Sequence, residues 1–224
     1  MQNVKFYLVV QKVFDSIRDY VDQVALRAKA SHYQYNYRLK ILDAEIINAH
    51  TGWPGGKITV YKGHLIVTDY YRVKGDEFLS LEDKVAAVFA HEIAHNCLGH
   101  IHFPILPFFF LVLATCIWVY YEGINLSLRD SVISGITSLV SRYLIRPYFQ
   151  RKDELQADAF AAELLFQAGY DIRSIQYARQ KNIELAKEDE TGTWKKITAS
   201  HLSEQERLDA VTKLSKATLK VWSL

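Results

Sequence analysis

Two histidines four residues apart, in His91-Glu92-Ile93-Ala94-His95, lie inside a long apolar-periodic run that also carries Val85, Ala86, Val88 and Phe89. That run predicts one continuous helix. Ser80 precedes it and can accept from the first free helical N–H groups, while Asp83 suits the positive helix end, so the helix starts near Leu81. On such a helix the two imidazoles lie about 40° apart on one face and can share a single metal ion. Glu92, about 100° from His91, then stands beside the open side of that ion. A zinc hydrolase needs this arrangement, because the ion lowers the pKa of its water to about 7 and a neighbouring carboxylate takes the proton. Buried histidines bonded to backbone carbonyls are the competing explanation, and they leave Glu92 on an otherwise apolar helix without a reason.

A metal site needs a third protein ligand. The positions three and six residues after His95 hold Leu98 and Ile101, so the glycine and histidine of a metzincin-type extension are missing. His100 is about 180° from His91 in helical phase, and His102 sits about 10 Å further along the axis. Glu154 and Asp158 are the better candidates: at i and i+4 they share one helix face, so one carboxylate can bind zinc while the other orients a zinc histidine. A solvated acidic face is the alternative, and Lys152, Asp153 and Glu163 show that this helix has one. Its span is predicted as about Lys152 to Gln167, closing at Gly169, with Asp171 capping a helix to about Glu188 and Ser203 with Glu206 capping a last one.

Elsewhere, Phe6, Val9, Val10, Val13, Ile17, Tyr20, Val21 and Val24 predict one amphipathic helix. Phe6 to Val10 is too short an apolar run for a cleavable signal. Leu39, Ile41 and Ile46, then Ile58 and Val60, alternate as in two strands joined through Gly52-Trp53-Pro54-Gly55-Gly56, a turn that suggests a hairpin. Ten glycines and four prolines in 224 residues are about half the usual share, which favours helices over an all-β fold. The balance of 27 basic and 25 acidic residues excludes a nucleic-acid partner, and two cysteines cannot build a disulfide framework.

These segments together resemble the gluzincin metallopeptidases of the HtpX, Oma-type and CAAX prenyl endopeptidase group. Asn48-Ala49, then Pro54-Gly55-Gly56-Lys57-Ile58-Thr59-Val60 and Gly63-His64-Leu65, look like that family's edge-strand motif. His91 to His95 matches its zinc helix, Glu154 to Asp158 followed by Ala168-Gly169-Tyr170-Asp171 its third-ligand helix, and His201 to Arg207 its late histidine-to-arginine segment. Leu202 departs from the proline usual after that histidine, and the stretch between Asn48-Ala49 and Pro54 is one residue longer.

The resemblance implies an α+β fold, mostly helical, with a small antiparallel sheet whose edge strand lies beside the zinc helix and a second, ligand-bearing helix. It implies one zinc ion per chain held by His91, His95 and Glu154, with Glu92 as general base and acid and Asp158 behind the ligands. His201 and Arg207 would face the cleft and stabilise an oxyanion or gate the site. An extended polypeptide would pair beside Lys57 to Tyr61, in the strand segment that includes Asn48, Ala49, Pro54, Gly55, Gly56, Ile58 and Val60. The expected function is a zinc metalloendopeptidase acting in the quality control of membrane or unfolded proteins. A zinc-binding regulatory or polypeptide-binding protein with little turnover is the alternative. A soluble antitoxin-degrading protease is disfavoured by the step of 59 positions from His95 to Glu154 and by Pro54-Gly55-Gly56.

One metallopeptidase domain over 1–224 is expected, with a hydrophobic insertion at about 103–147. Phe103 to Tyr121 is 19 residues without a charge, long enough to cross a bilayer, although Pro104 and Pro107 shorten its regular part. The return from Ile124 to Pro147 carries Arg129, Asp130 and Arg142 and suits a shallow hairpin or interfacial helix better than a span. Its face of Val132, Ile133, Ile136, Leu139, Val140, Tyr143 and Leu144 predicts a helix that Pro147 ends. Arg142, Arg146, Arg151 and Lys152 then place the active site on the cytoplasmic side of a membrane-associated protein, with a soluble cytoplasmic protein as the alternative.

Overall fold

The computed structural model describes residues 2–28, 36–52, 56–70, 76–100, 105–121, 131, 135, 146–188 and 204–222. Helix α1 (Gln2–Arg18) turns Val10, Val13, Phe14 and Ile17, spaced three and four apart, into the core. The predicted single helix breaks at Asp19-Tyr20. Tyr20 N–H donates to the carbonyl of Ile17, only three residues back, at 3.1 Å, and the chain resumes in α2 (Val21–Arg27), still burying Val21 and Val24. The tightened turn lets the apolar stripe follow the core surface instead of leaving it.

Three strands follow: β1 (Arg38–Leu42), β2 (Ala49–Gly52) and β3 (Lys57–Tyr61), in the order β1-β3-β2. An antiparallel hairpin does form, but between β2 and β3; β1, the strand the sequence expected in it, runs parallel to β3, from Arg38 opposite Lys57 to Leu42 opposite Tyr61. The sheet is therefore mixed, not antiparallel, and Ile46 lies outside the strands, 54% exposed. The reason is apolar content. β3 carries the fully buried Ile58 and Val60 and takes the centre, whereas the short polar β2 stays at the rim.

After α3 (Lys62–Tyr70) and a 3-10 turn (Asp76–Phe78), α4 (Leu81–Cys97) forms the axis of the molecule. Its start is a full capping box: Ser80 Oγ accepts from Asp83 N–H at 3.0 Å, and Asp83 Oδ2 accepts from Ser80 N–H at 3.1 Å. Val85, Ala86, Phe89, Ala90, Ile93 and Ala94 are fully buried, and Phe89 meets Phe14 edge-on with ring centroids 5.4 Å apart. α5 (Ile105–Tyr121) has Pro107 in its first turn and exposes Phe110, Leu113, Ile117, Trp118, Tyr120 and Tyr121. No helix among the described residues is long and apolar enough to cross a membrane.

α6 (Arg146–Gln167) begins where the sequence predicted an ending. Pro147 falls in its first turn, where the missing N–H costs nothing, and so suits the start of this helix. The helix closes as expected at Gly169 (φ 80°), with Tyr170 N–H donating to the Leu165 carbonyl at 2.9 Å. Asp171 Oδ1 accepts from Arg173 N–H at 2.8 Å and opens α7 (Arg173–Glu188). The last helix is α8 (Glu204–Trp222). α6 and α7 pack on α4, and α8 packs across α6 and α7. The helix predicted over 132–144 and the capping residue Ser203 lie outside the described residues, apart from Gly135, which is helical.

Candidate metal centre

The packing of α6 on α4 carries Glu154 to the face that bears both histidines. His91 Nε2 and His95 Nε2 are 3.1 Å apart. Glu154 Oε2 is 3.4 Å from the first and Oε1 is 3.5 Å from the second. Each residue thus offers one ligand atom to a common point. A tetrahedral zinc ion with ligand bonds of about 2.0–2.1 Å would space its ligand atoms by about 3.3 Å, so this donor set fits the ion in both chemistry and spacing. Glu154 is only 5% exposed, and a carboxylate that deep requires compensating charge.

Around these three residues stands an ionic cluster. Asp158 Oδ1 lies 2.9 Å from His91 Nδ1, the nitrogen that faces away from the common point. Arg207 grips Asp158 through Nε to Oδ2 and Nη2 to Oδ1, each at 3.0 Å, and Arg179 Nη2 adds a third bond at 3.1 Å. Burial alone would raise the Asp158 pKa, but the two guanidiniums and His91 outweigh it and hold the carboxyl well below the ordinary carboxylate range. Asp158 is therefore a permanent anion against His91.

Arg207 lies among the site's acids. It is 2% exposed, and besides Asp158 it contacts Glu154 Oε2 at 2.7 Å and Glu204 Oε1 at 3.3 Å. The guanidinium is enclosed by three carboxylates, and its Nη2 also lies 3.4 Å from His91 Nε2, so it reaches the common point itself while holding the acids in position. His201 lies outside the described residues, as do Pro54 and Gly55. Glu92 is half-buried on α4 next to His91.

The strand expectation also changes. β3 has β1 on one side and β2 on the other, so no peptide can add beside Lys57 to Tyr61, and Ile58 and Val60 are core residues. The rim strand nearest the site is β2, which continues from Asn48 through Ala49 to Gly52 and ends the sheet. Thr51 on β2 accepts from Asn96 Nδ2 of α4 at 2.7 Å, which ties that rim to the histidine helix. Gly56, buried, forms the turn into β3.

Helical phase set His100 opposite His91, yet its ring meets His95, Nδ1 to Nδ1, at 3.1 Å. The phase argument fails because α4 stops at Cys97. Gly99 takes φ 71° and donates to the Asn96 carbonyl, and His100 N–H donates to the His95 carbonyl, both at 3.0 Å. This Schellman closure folds His100 back over the last helical turn. The Leu98-Gly99 pair was the sequence signal for it. Burial and the neighbouring His95 push the His100 pKa down to about 4, so the ring is neutral. Arg179 and Gln156 are the other site residues that spacing did not reveal.

Two helices from distant parts of the chain, joining two imidazoles and a carboxylate at one point beside a glutamate, are the arrangement of a metallopeptidase. The family model of peptidase family M48 matches residues 11–215, and the chain belongs to that family, whose members are metal-dependent peptidases. It is also similar to the mitochondrial metalloendopeptidase OMA1 of Arabidopsis thaliana, 28% identical over 147 residues that cover 65% of this chain and 26% of that protein. The chain spans about a quarter of that relative's length.

Proposed function

We propose that the chain is a zinc-dependent endopeptidase: one domain over 1–224 whose insertion at about 103–147 contacts lipid, with the active site on the cytoplasmic face. The single observation that carries the reading is the convergence of His91, His95 and Glu154, three side chains set by two helices. A bound zinc ion supplies a Lewis acid that lowers the pKa of water to about 7 and polarises a carbonyl. Glu92 takes the proton of the attacking water on its carboxylate and returns it to the departing amine. The Asp158 carboxylate, 2.9 Å from His91 Nδ1, favours the proton on that nitrogen, which keeps Nε2 bare for the metal. The rim of β2, from Asn48 to Gly52, which pairs with no further strand among the described residues, gives an extended polypeptide main-chain partners with little sequence preference. That tolerance suits the removal of unfolded or membrane proteins.

The test is Glu92→Gln on the full chain with casein as substrate. The variant is expected to bind zinc as the parent does and to lose at least about 100-fold in turnover, the lower end of what a positioned general base contributes. Undiminished cleavage would remove Glu92 from the reaction.

A further inference from the structure

Resting on the assignment of His91, His95 and Glu154 as zinc ligands, we infer that His100 is a positioning residue that holds His95 as an Nε2 ligand, with Gln156 orienting His100 in turn. The two ring nitrogens, His95 Nδ1 and His100 Nδ1, are 3.1 Å apart. A neutral imidazole carries one proton, so of two facing nitrogens one donates and the other accepts. His95 turns Nε2 toward His91 Nε2 and Glu154. For that nitrogen to bind a cation it must be bare, which puts the His95 proton on Nδ1, pointing at His100. His100 Nδ1 accepts it, and the His100 proton then belongs on Nε2. There it faces Gln156 Oε1 at 3.3 Å, an acceptor. The proton order runs from His95 to His100 to Gln156, and every donor in it meets an acceptor.

The backbone supports the same chain. The Schellman closure around Gly99 ties His100 N–H to the His95 carbonyl, so both the main chain and the ring of His100 are referenced to the residue they orient. Gln156 stands on α6 between Glu154 and Asp158, so the helix that brings the carboxylate ligand also sets the far end of the relay. The two histidines are consequently held by unlike partners: a carboxylate clamped by two arginines behind His91, and a neutral imidazole behind His95.

The experiment is zinc competition against a chromophoric chelator on the full chain, comparing the parent with His100→Leu and His100→Asn, with thermal melts of the metal-free proteins alongside. Leucine removes the acceptor, and zinc affinity should fall about 10- to 100-fold. Asparagine can place its amide oxygen where Nδ1 was, and affinity should stay within about threefold of the parent. Long-range proton–nitrogen NMR of the zinc-loaded parent gives a readout that no variant's folding can disturb. It should show His95 with a protonated Nδ1 and a metal-bearing Nε2. Zinc affinity of a folded His100→Leu within twofold of the parent, equal losses in both variants, or a metal-bearing Nδ1 on His95 would each overturn the inference. A parent chain that takes up no zinc would instead overturn the ligand assignment on which it rests.

Discussion

Four charged side chains, Glu154, Asp158, Arg179 and Arg207, are buried around the two imidazoles and pair with one another, so none can be removed without leaving an opposite charge buried. Breaking such a pair costs about 3–5 kcal/mol. Arg207→Leu should therefore lose stability in that range in urea unfolding, together with zinc affinity, because Glu154 and Asp158 both lose their anchor. A loss below about 1 kcal/mol would mean that Arg207 does not organise the site. The two helix faces, His91 with His95 and Glu154 with Asp158, were legible from spacing, since four-residue intervals on helices are a local property, whereas which carboxylate meets the histidines was not. The role of Arg207 was not. Its place in the chain puts it near the site, but only the packing of α8 across α6 and α7 brings its guanidinium among Glu154, Asp158 and Glu204 and up to His91 Nε2.

Helices announced themselves through periodicity and caps, and the capping box at Ser80, the N–H accepted by Asp171 and the ending at Gly169 all lie where the sequence places them. Strands did not. Direction and order depend on pairing between residues far apart in sequence, so the parallel β1 and the central β3 could not be read from alternation alone. α5 poses the clearest question at this scale. It is 17 residues of almost purely apolar sequence, about 26 Å long, with aromatic side chains in the open. Cys116 reports on it directly, being exposed on that helix, while Cys97 is buried against the Tyr37 hydroxyl and burial pushes its thiol up to about 11. A polar maleimide should label Cys116 and spare Cys97 in the native chain, and vesicles of mixed neutral and anionic phospholipid should protect Cys116. Equal labelling with and without vesicles would contradict lipid contact through the insertion.

Across the whole molecule the core and the site share one scaffold. α4 buries Phe89 and Ile93 on one side and presents His91 and His95 on another, and the helices that complete its packing, α6 and α8, supply the carboxylates and the arginine. Folding and site assembly are thus one event, which explains how residues 59 positions apart reach bonding distance. The central claim is that His91, His95 and Glu154 together hold one zinc ion. The direct measurement is zinc content per chain after loading and exhaustive dialysis, for the parent, Glu92→Gln and Glu154→Ala. We predict about one equivalent in the first two and little in the third, with zinc ligands at about 2.0–2.1 Å in X-ray absorption. A folded Glu154→Ala that retains a full equivalent with unchanged affinity would contradict it.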